Sequence, residues 1–161
     1  MFIISVIMKF DFTRRFGFLV KDLGRLYGQQ FDRLAREQLG LSHSQVRLIA
    51  ALARHGEEEP LSQTELAQRL ELTPMAVAGL CDRMAAAGWI RRAPSATDRR
   101  INLLHLEPKA IDALQAALAI GDALSARALA NLSAAERTQL LSLLAKARTG
   151  LLATAGETAA A

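Results

Sequence analysis

Residues 61–106 read LSQTELAQRLELTPMAVAGLCDRMAAAGWIRRAPSATDRRINLLHL, and this stretch decides the fold. Ser62 stands three residues before Glu65, the spacing at which a serine hydroxyl and a glutamate carboxylate satisfy each other's backbone N–H at a helix start. Leu66, Ala67 and Leu70 follow as the apolar side of that helix. A break at Glu71-Leu72 leads to Thr73-Pro74, an N-cap followed by proline at the first helical position, where a missing N–H has no intrahelical partner to lose. Val77, Leu80, Cys81 and Met84 then repeat at helical spacing until Gly88. Two strand-like runs, Trp89–Ala93 and Ile101–Leu106, enclose the turn-rich loop PSATDRR. Helix, tight turn, helix and basic hairpin predict a winged helix-turn-helix. Its second helix would enter a DNA major groove, with Arg99 and Arg100 on the hairpin offered to a minor groove or to phosphate.

Toward the N-terminus, Phe16, Leu19, Leu23 and Leu26 form one apolar line and Val20, Tyr27, Phe31 and Leu34 a second. Together they predict a helix from Phe12 to about Gln38 with a wide apolar face. Gly17, Gly24 and Gly28 lower its propensity but permit close approach by a neighbour, and Gly40 stops it. Ser42 and Gln45 repeat the capping spacing and open a helix carrying Val46, Ile49, Leu52 and Ala53. The segment HGEEEP at 55–60 is an exposed loop whose glutamates would repel phosphate. Beyond the hairpin, Glu107-Pro108 opens a long helix with Ile111, Leu114, Leu118, Leu124 and Ala128 on one side, interrupted by Gly121. Ser133 and Glu136 start another, with Leu140, Leu143, Leu144, Ala147 and Leu151. These flanking helices carry more apolar surface than a winged helix covers, which leaves an intramolecular bundle or a two-fold dimer to bury it.

With 161 residues, 51% of them hydrophobic and 5% aromatic, the chain fits one domain or a fused unit of two small lobes with a folded helical core. The net charge is +4 and the pI about 9.8, which suits a polyanionic partner. Residues 41–107 balance eight Arg against eight Asp and Glu, yet Arg91 to Arg100 holds four Arg and one Asp, so the basic character is focused on the hairpin. A single cysteine, Cys81, excludes an intramolecular disulfide and suits a reducing cytoplasm. The opening MFIISVIMKF is too short to span a membrane and lacks the basic region and cleavage site of a signal peptide, and Met8 offers an alternative initiator. There is no phosphate-binding glycine loop and no solenoid repeat. His43, His55 and His105 are scattered with no metal-ligand spacing, so neither an enzyme, a metal nor a cofactor is expected.

The runs GLSHSQVRLIAAL (40–52), LSQTELAQRL (61–70), LCDRMAAAGWIRR (80–92) and DRRINLLHL (98–106) resemble the MarR (multiple antibiotic resistance regulator) family of bacterial transcription factors. The resemblance extends over roughly residues 9–150, and its most specific piece is the ordered set LxDRM, GWIxR, DRR and LxL. It implies an obligate homodimer with a ligand pocket between its DNA-binding and dimerisation parts. The expected fold class is therefore all-α with a small β-hairpin wing. It would comprise an N-terminal tail (1–8), an N-terminal dimerisation helix (9–40), a winged helix-turn-helix (41–107), C-terminal dimerisation helices (108–152) and a flexible tail (153–161). The expected function is a cytoplasmic, sequence-specific repressor on a palindromic operator of double-stranded DNA, released by a small aromatic or phenolic effector. A constitutive DNA binder and a winged-helix protein-interaction module are the alternatives.

With Val77, Leu80 and Met84 turned inward, the outward side of the second helix offers candidate contact residues, and the resemblance gives those of the wing. On the second helix they are Thr73, Met75, Ala76, Ala78, Gly79 and Arg83, and on the preceding helix Ser62, Gln63 and Thr64. On the wing, Asp98 would brace an arginine, Arg99 or Arg100 would enter the minor groove, and Arg91 and Arg92 would touch phosphate. The family commonly has Thr or Ser near Ala76 and Ala78, and Arg at Gly79; here methyl groups stand instead, able to meet thymine methyls but not to grip guanine. Specificity is then expected to lean on the wing, on Ser62, Gln63 and Thr64, and on DNA shape. Tyr27, Phe31 and Trp89 are candidates for a ligand cavity or plain core. Some metal-sensing relatives use a histidine near His43, but the helix after the wing supplies none to complete a site. Family redox sensors carry their cysteine in the first helix, which here has none, so Cys81 is expected to be a buried structural thiol.

Overall fold

Serine and threonine side chains set where several of the helices begin. The computed structural model describes residues 14–56, 60–95 and 101–159, and among these the order is α1 (Phe16–Leu39), α2 (His43–His55), α3 (Gln63–Leu70), α4 (Pro74–Ala86), β1 (Ile90–Pro94), β2 (Asn102–Leu106), α5 (Pro108–Ala128) and α6 (Ala134–Ala159). Before α2, Ser42 Oγ accepts the Gln45 N–H at 3.3 Å while Gln45 Oε1 accepts the Ser42 N–H at 2.8 Å. Before α3, Ser62 and Glu65 make the same exchange, and the Ser62 hydroxyl also donates to Glu65 Oε2 at 2.7 Å. Ser133 and Glu136 repeat it at α6. Thr73 Oγ1 accepts the Ala76 N–H at 3.2 Å and Pro74 is the first residue of α4. Each cap satisfies an N–H that has no partner inside its helix.

The helix ends are equally local. Gly40 and Gly88 sit at φ 68, the left-handed conformation that closes a helix, and after α4 the Trp89 N–H reaches back to the Met84 carbonyl at 2.9 Å. The tight turn between α3 and α4 uses Glu71 at φ 56, the one described non-glycine residue with positive φ, and the Leu72 N–H bonds the Ala67 carbonyl at 3.1 Å. A side chain in this region is strained by about 1–2 kcal/mol, partly offset by the extra freedom glycine brings to the unfolded chain. Glu71→Gly is therefore expected to stabilise the protein by about 0.5–1 kcal/mol, read as a higher urea midpoint at unchanged slope.

The hairpin is antiparallel, pairing Ile90 with Leu106 and Arg92 with Leu104. The first strand lies one residue later than the sequence pattern suggested, because Trp89 is still engaged in closing α4. The Leu104 N–H donates to the Leu61 carbonyl at 2.8 Å, fastening the wing to the segment that leads into α3. Beneath lie Leu41, Leu48, Ile49, Leu61, Leu66, Val77, Met84 and Leu104, all fully buried. Leu48 lies outside the stripe read for α2 from sequence.

Two compact units divide the chain, the first ending at Asp122 and the second beginning at Ala123. In the first unit, α1 buries only Phe31 and Ala35, while Phe16, Phe18, Leu19, Val20, Leu23 and Leu26 face outward. The inward residues of α5 in this unit are Ala110, Ala117 and Ile120; Leu118, placed on the apolar side by its spacing, is 61% exposed. In the second unit, Leu141, Leu143, Leu144, Leu151 and Leu152 of α6 are exposed. Among the described residues no helix is long and apolar enough to cross a membrane.

Candidate nucleic-acid interface

Helix α4 turns Val77, Leu80, Cys81 and Met84 into the core, which leaves Met75, Ala76, Asp82 and Arg83 exposed and Ala78 and Gly79 half-buried between them. The Arg83 guanidinium folds back along the helix: a Cβ on Gly79 would lie 3.5 Å from its Nη1. The surface that would face bases is thus small and apolar at its centre, with one long cation beside it. Ser62 and Thr73 spend their hydroxyls on capping, whereas Thr64 is exposed on α3.

On the wing, Arg91 Nε lies 3.9 Å from Glu107 Oε1, and Arg92 Nη2 donates to Asp82 Oδ1 at 2.6 Å. Both arginines assigned to phosphate from the sequence therefore have carboxylate neighbours. Asp98, Arg99 and Arg100 lie outside the described residues. Two further cations hold the ends of the paired helices. Arg47 Nη2 donates to the Leu70 carbonyl at 3.1 Å, at the end of α3. Lys109 Nζ donates to the Ala87 carbonyl and sits 4.4 Å from the centroid of the Trp89 ring. Sequence reasoning missed both, because the partners are 23 and 22 residues away and no local spacing announces them.

Comparison with known proteins agrees with this geometry. The sequence profile of the MarR family matches residues 39–101. The HTH-type transcriptional repressor MdtR of Bacillus subtilis is 33% identical over 122 residues, 76% of this chain and 74% of that protein. The chain belongs to the MarR family. Reduced MarR from E. coli shares the fold with a TM-score of 0.76 at 21% identity, over 83% of this chain and 96% of that one. The S. aureus MepR–DNA complex does so with a TM-score of 0.69 at 23% identity, over 84% and 98%. The MarR family is one of transcriptional regulators, not enzymes, and this chain is a MarR-type winged-helix regulator.

Of the aromatic residues considered as pocket candidates, Tyr27 and Phe31 both approach Gly121, and Trp89 packs elsewhere. Tyr27 Oη donates to the Gly121 carbonyl at 3.0 Å, Phe31 packs its ring 5.1 Å from that of His43, and Trp89 lies under Lys109. A cavity of about 110 Å³ is lined by residues including Leu52, Pro60, Leu104, His105 and Ile111, and by none of those three aromatics. It is smaller than the roughly 300 Å³ at which drug-sized ligand pockets begin. Cys81 is buried, and burial pushes its thiol pKa up, which keeps it protonated at neutral pH.

His43 sits where α1 approaches α2: its ring lies 3.6 Å from where a Gly28 Cβ would be. Its backbone N–H donates to Asp32 Oδ1 at 2.7 Å, and the same carboxylate accepts from Arg36 Nε at 2.7 Å. Burial, then Arg47, hold the His43 pKa below the ordinary histidine value, against a smaller upward pull from Asp32. A depressed pKa means the unfolded chain takes up the proton first, so this stabilisation is complete above the ordinary value of about 6.5 and is lost as pH falls through it. The urea midpoint should therefore drop between pH 7.5 and 5.5, and His43→Gln should flatten that drop. Below the usual carboxylate range Asp32 and Glu65, both held low by hydrogen bonds, add a second loss of the same sign.

Proposed function

We propose that the protein is a homodimeric repressor whose two α4 helices read a palindromic operator, with the wings on flanking minor grooves or phosphates. The observation that carries this reading is the exposed face of α4, Met75 to Arg83, beside a basic hairpin that is fastened to the segment preceding α3. The relative MdtR is named a repressor, and MepR has been captured on DNA. Dimerisation is supported by the outward apolar line of α1, which one copy of the chain leaves in water. A two-fold pair would set the recognition helices roughly 34 Å apart, one turn of duplex. Relief by a small aromatic or phenolic effector completes the reading, by favouring a dimer whose helices no longer match the half-site spacing. Its support is the family resemblance.

Selection of the full chain against a randomised duplex library tests this directly. Enrichment of an inverted repeat with half-sites about one turn apart, bound by a species of twice the chain's mass in sedimentation, is the expected result. A second reading, a protein-interaction module, draws on Met75, which is 86% exposed at the head of α4. Such a module would enrich no sequence, and its DNA affinity would be weak on every duplex.

A further inference from the structure

Three elements of the winged helix meet at Arg92. It is the third residue of β1, and its Nη2 bonds Asp82 Oδ1 of α4 at 2.6 Å. With the Gln63 amide turned so that its oxygen faces the guanidinium, Arg92 Nε and Nη2 donate to it at 3.2 and 2.7 Å, and Gln63 is the first residue of α3. We propose that Arg92 is a positioning residue, locking the recognition helix α4 against the wing and α3 through Asp82 and Gln63, and not a phosphate contact. The proposal rests on the DNA-binding reading above and assigns a role within it.

The chemistry favours this assignment. The guanidinium fork is planar, and its donors are divided between two fixed acceptors on two different helices, a geometry that an ammonium on a flexible stem does not reproduce. Its charge is offset by a carboxylate in direct contact, which weakens its pull on a phosphate. Asp82 is itself informative. Its side chain is 66% exposed on the outward face of α4, where a free carboxylate would repel a phosphate backbone. As half of a brace, the same carboxylate fixes the angle at which α4 enters the groove. Apolar contacts to base edges fall off steeply with distance, and the same angle sets where the wing and α3 land, so it governs sequence discrimination more than general affinity.

The two roles predict opposite signs. Removing an acidic charge from a DNA-facing helix should tighten binding to every duplex if electrostatics alone act. Under the brace, Asp82→Asn should weaken binding to the selected operator by about ten-fold and leave random duplex unchanged or slightly tighter. Arg92→Lys keeps the charge, so a phosphate contact would survive it. Under the brace it too loses about ten-fold on the operator with an unchanged salt slope, and the double variant is no worse than either single one. Operator affinity that rises in Asp82→Asn, or stays at the wild-type value in Arg92→Lys, overturns the proposal. Hydrogen exchange of the DNA-free full-length chain supplies a separate readout. Faster exchange confined to α4 and β1 in both variants supports the brace, and unchanged protection there overturns it. If the unaltered chain shows no preference for any sequence, the DNA-binding reading fails, while the exchange measurement still decides whether Arg92 holds α4.

Discussion

Converting Arg99 and Arg100 together to alanine will lower affinity for duplex DNA by about a hundred-fold near physiological salt, and will make its salt dependence shallower. Four arginines and one aspartate fall between Arg91 and Arg100, but they are not equivalent. Arg91 has Glu107 beside it and Arg92 is held by Asp82, and the proposed reading assigns the minor groove or phosphate to Arg99 and Arg100. Each phosphate neutralised releases condensed counterion, and the logarithm of affinity falls with the logarithm of salt by about 0.9 per contact. Titrations at several salt concentrations should show the slope reduced by about one for every phosphate contact removed. Arg91→Ala alone should shift the slope less. An unchanged slope in the double variant would place the wing away from DNA.

The second large effect is on folding. Leu66 is fully buried in α3, at the centre of the helix-turn-helix, whereas Leu23 of α1 is 62% exposed in the single chain. Leu66→Ala should destabilise by about 2–5 kcal/mol, through lost burial and the cavity left behind. Against a total of about 5–15 kcal/mol for an ordinary domain, that is enough to populate the unfolded chain on warming. Leu23→Ala should hardly alter the fold of one subunit. In a dimer that covers α1, it should instead lower the melting temperature most at low protein concentration, because association and folding are linked by mass action. Denaturant midpoints for the first variant and concentration-dependent melting for the second separate core from interface.

Sequence legibility followed the range of the interactions. Ser42 with Gln45, Ser62 with Glu65, Ser133 with Glu136 and Thr73 before Pro74 act across three residues, and the structure has every one of these caps. The winged helix-turn-helix followed from them, together with the inward line Val77, Leu80, Cys81 and Met84. What was not legible depends on how separate elements meet. The Asp82–Arg92 pair joins a helix to a strand, and Arg47 and Lys109 bond carbonyls more than twenty residues away. A basic run next to a turn says where charge is concentrated but not which charges already have a carboxylate beside them, so the expectation that Arg92 touches phosphate could not take Asp82 into account. The outer lines of α1 and α5 show the same limit from the other side. Apolar spacing marks Leu23 and Leu118 as positions to be covered, and in one chain both remain exposed.

The most direct test of the central claim, that α4 and the wing together form a sequence-specific DNA reader, is fluorescence anisotropy with the full chain. The probe is a labelled duplex obtained by selection, titrated at several salt concentrations against excess random competitor. Tight, competitor-resistant binding with a steep salt slope is the predicted result. Binding that is weak, shallow in salt and equal on random duplex would contradict it.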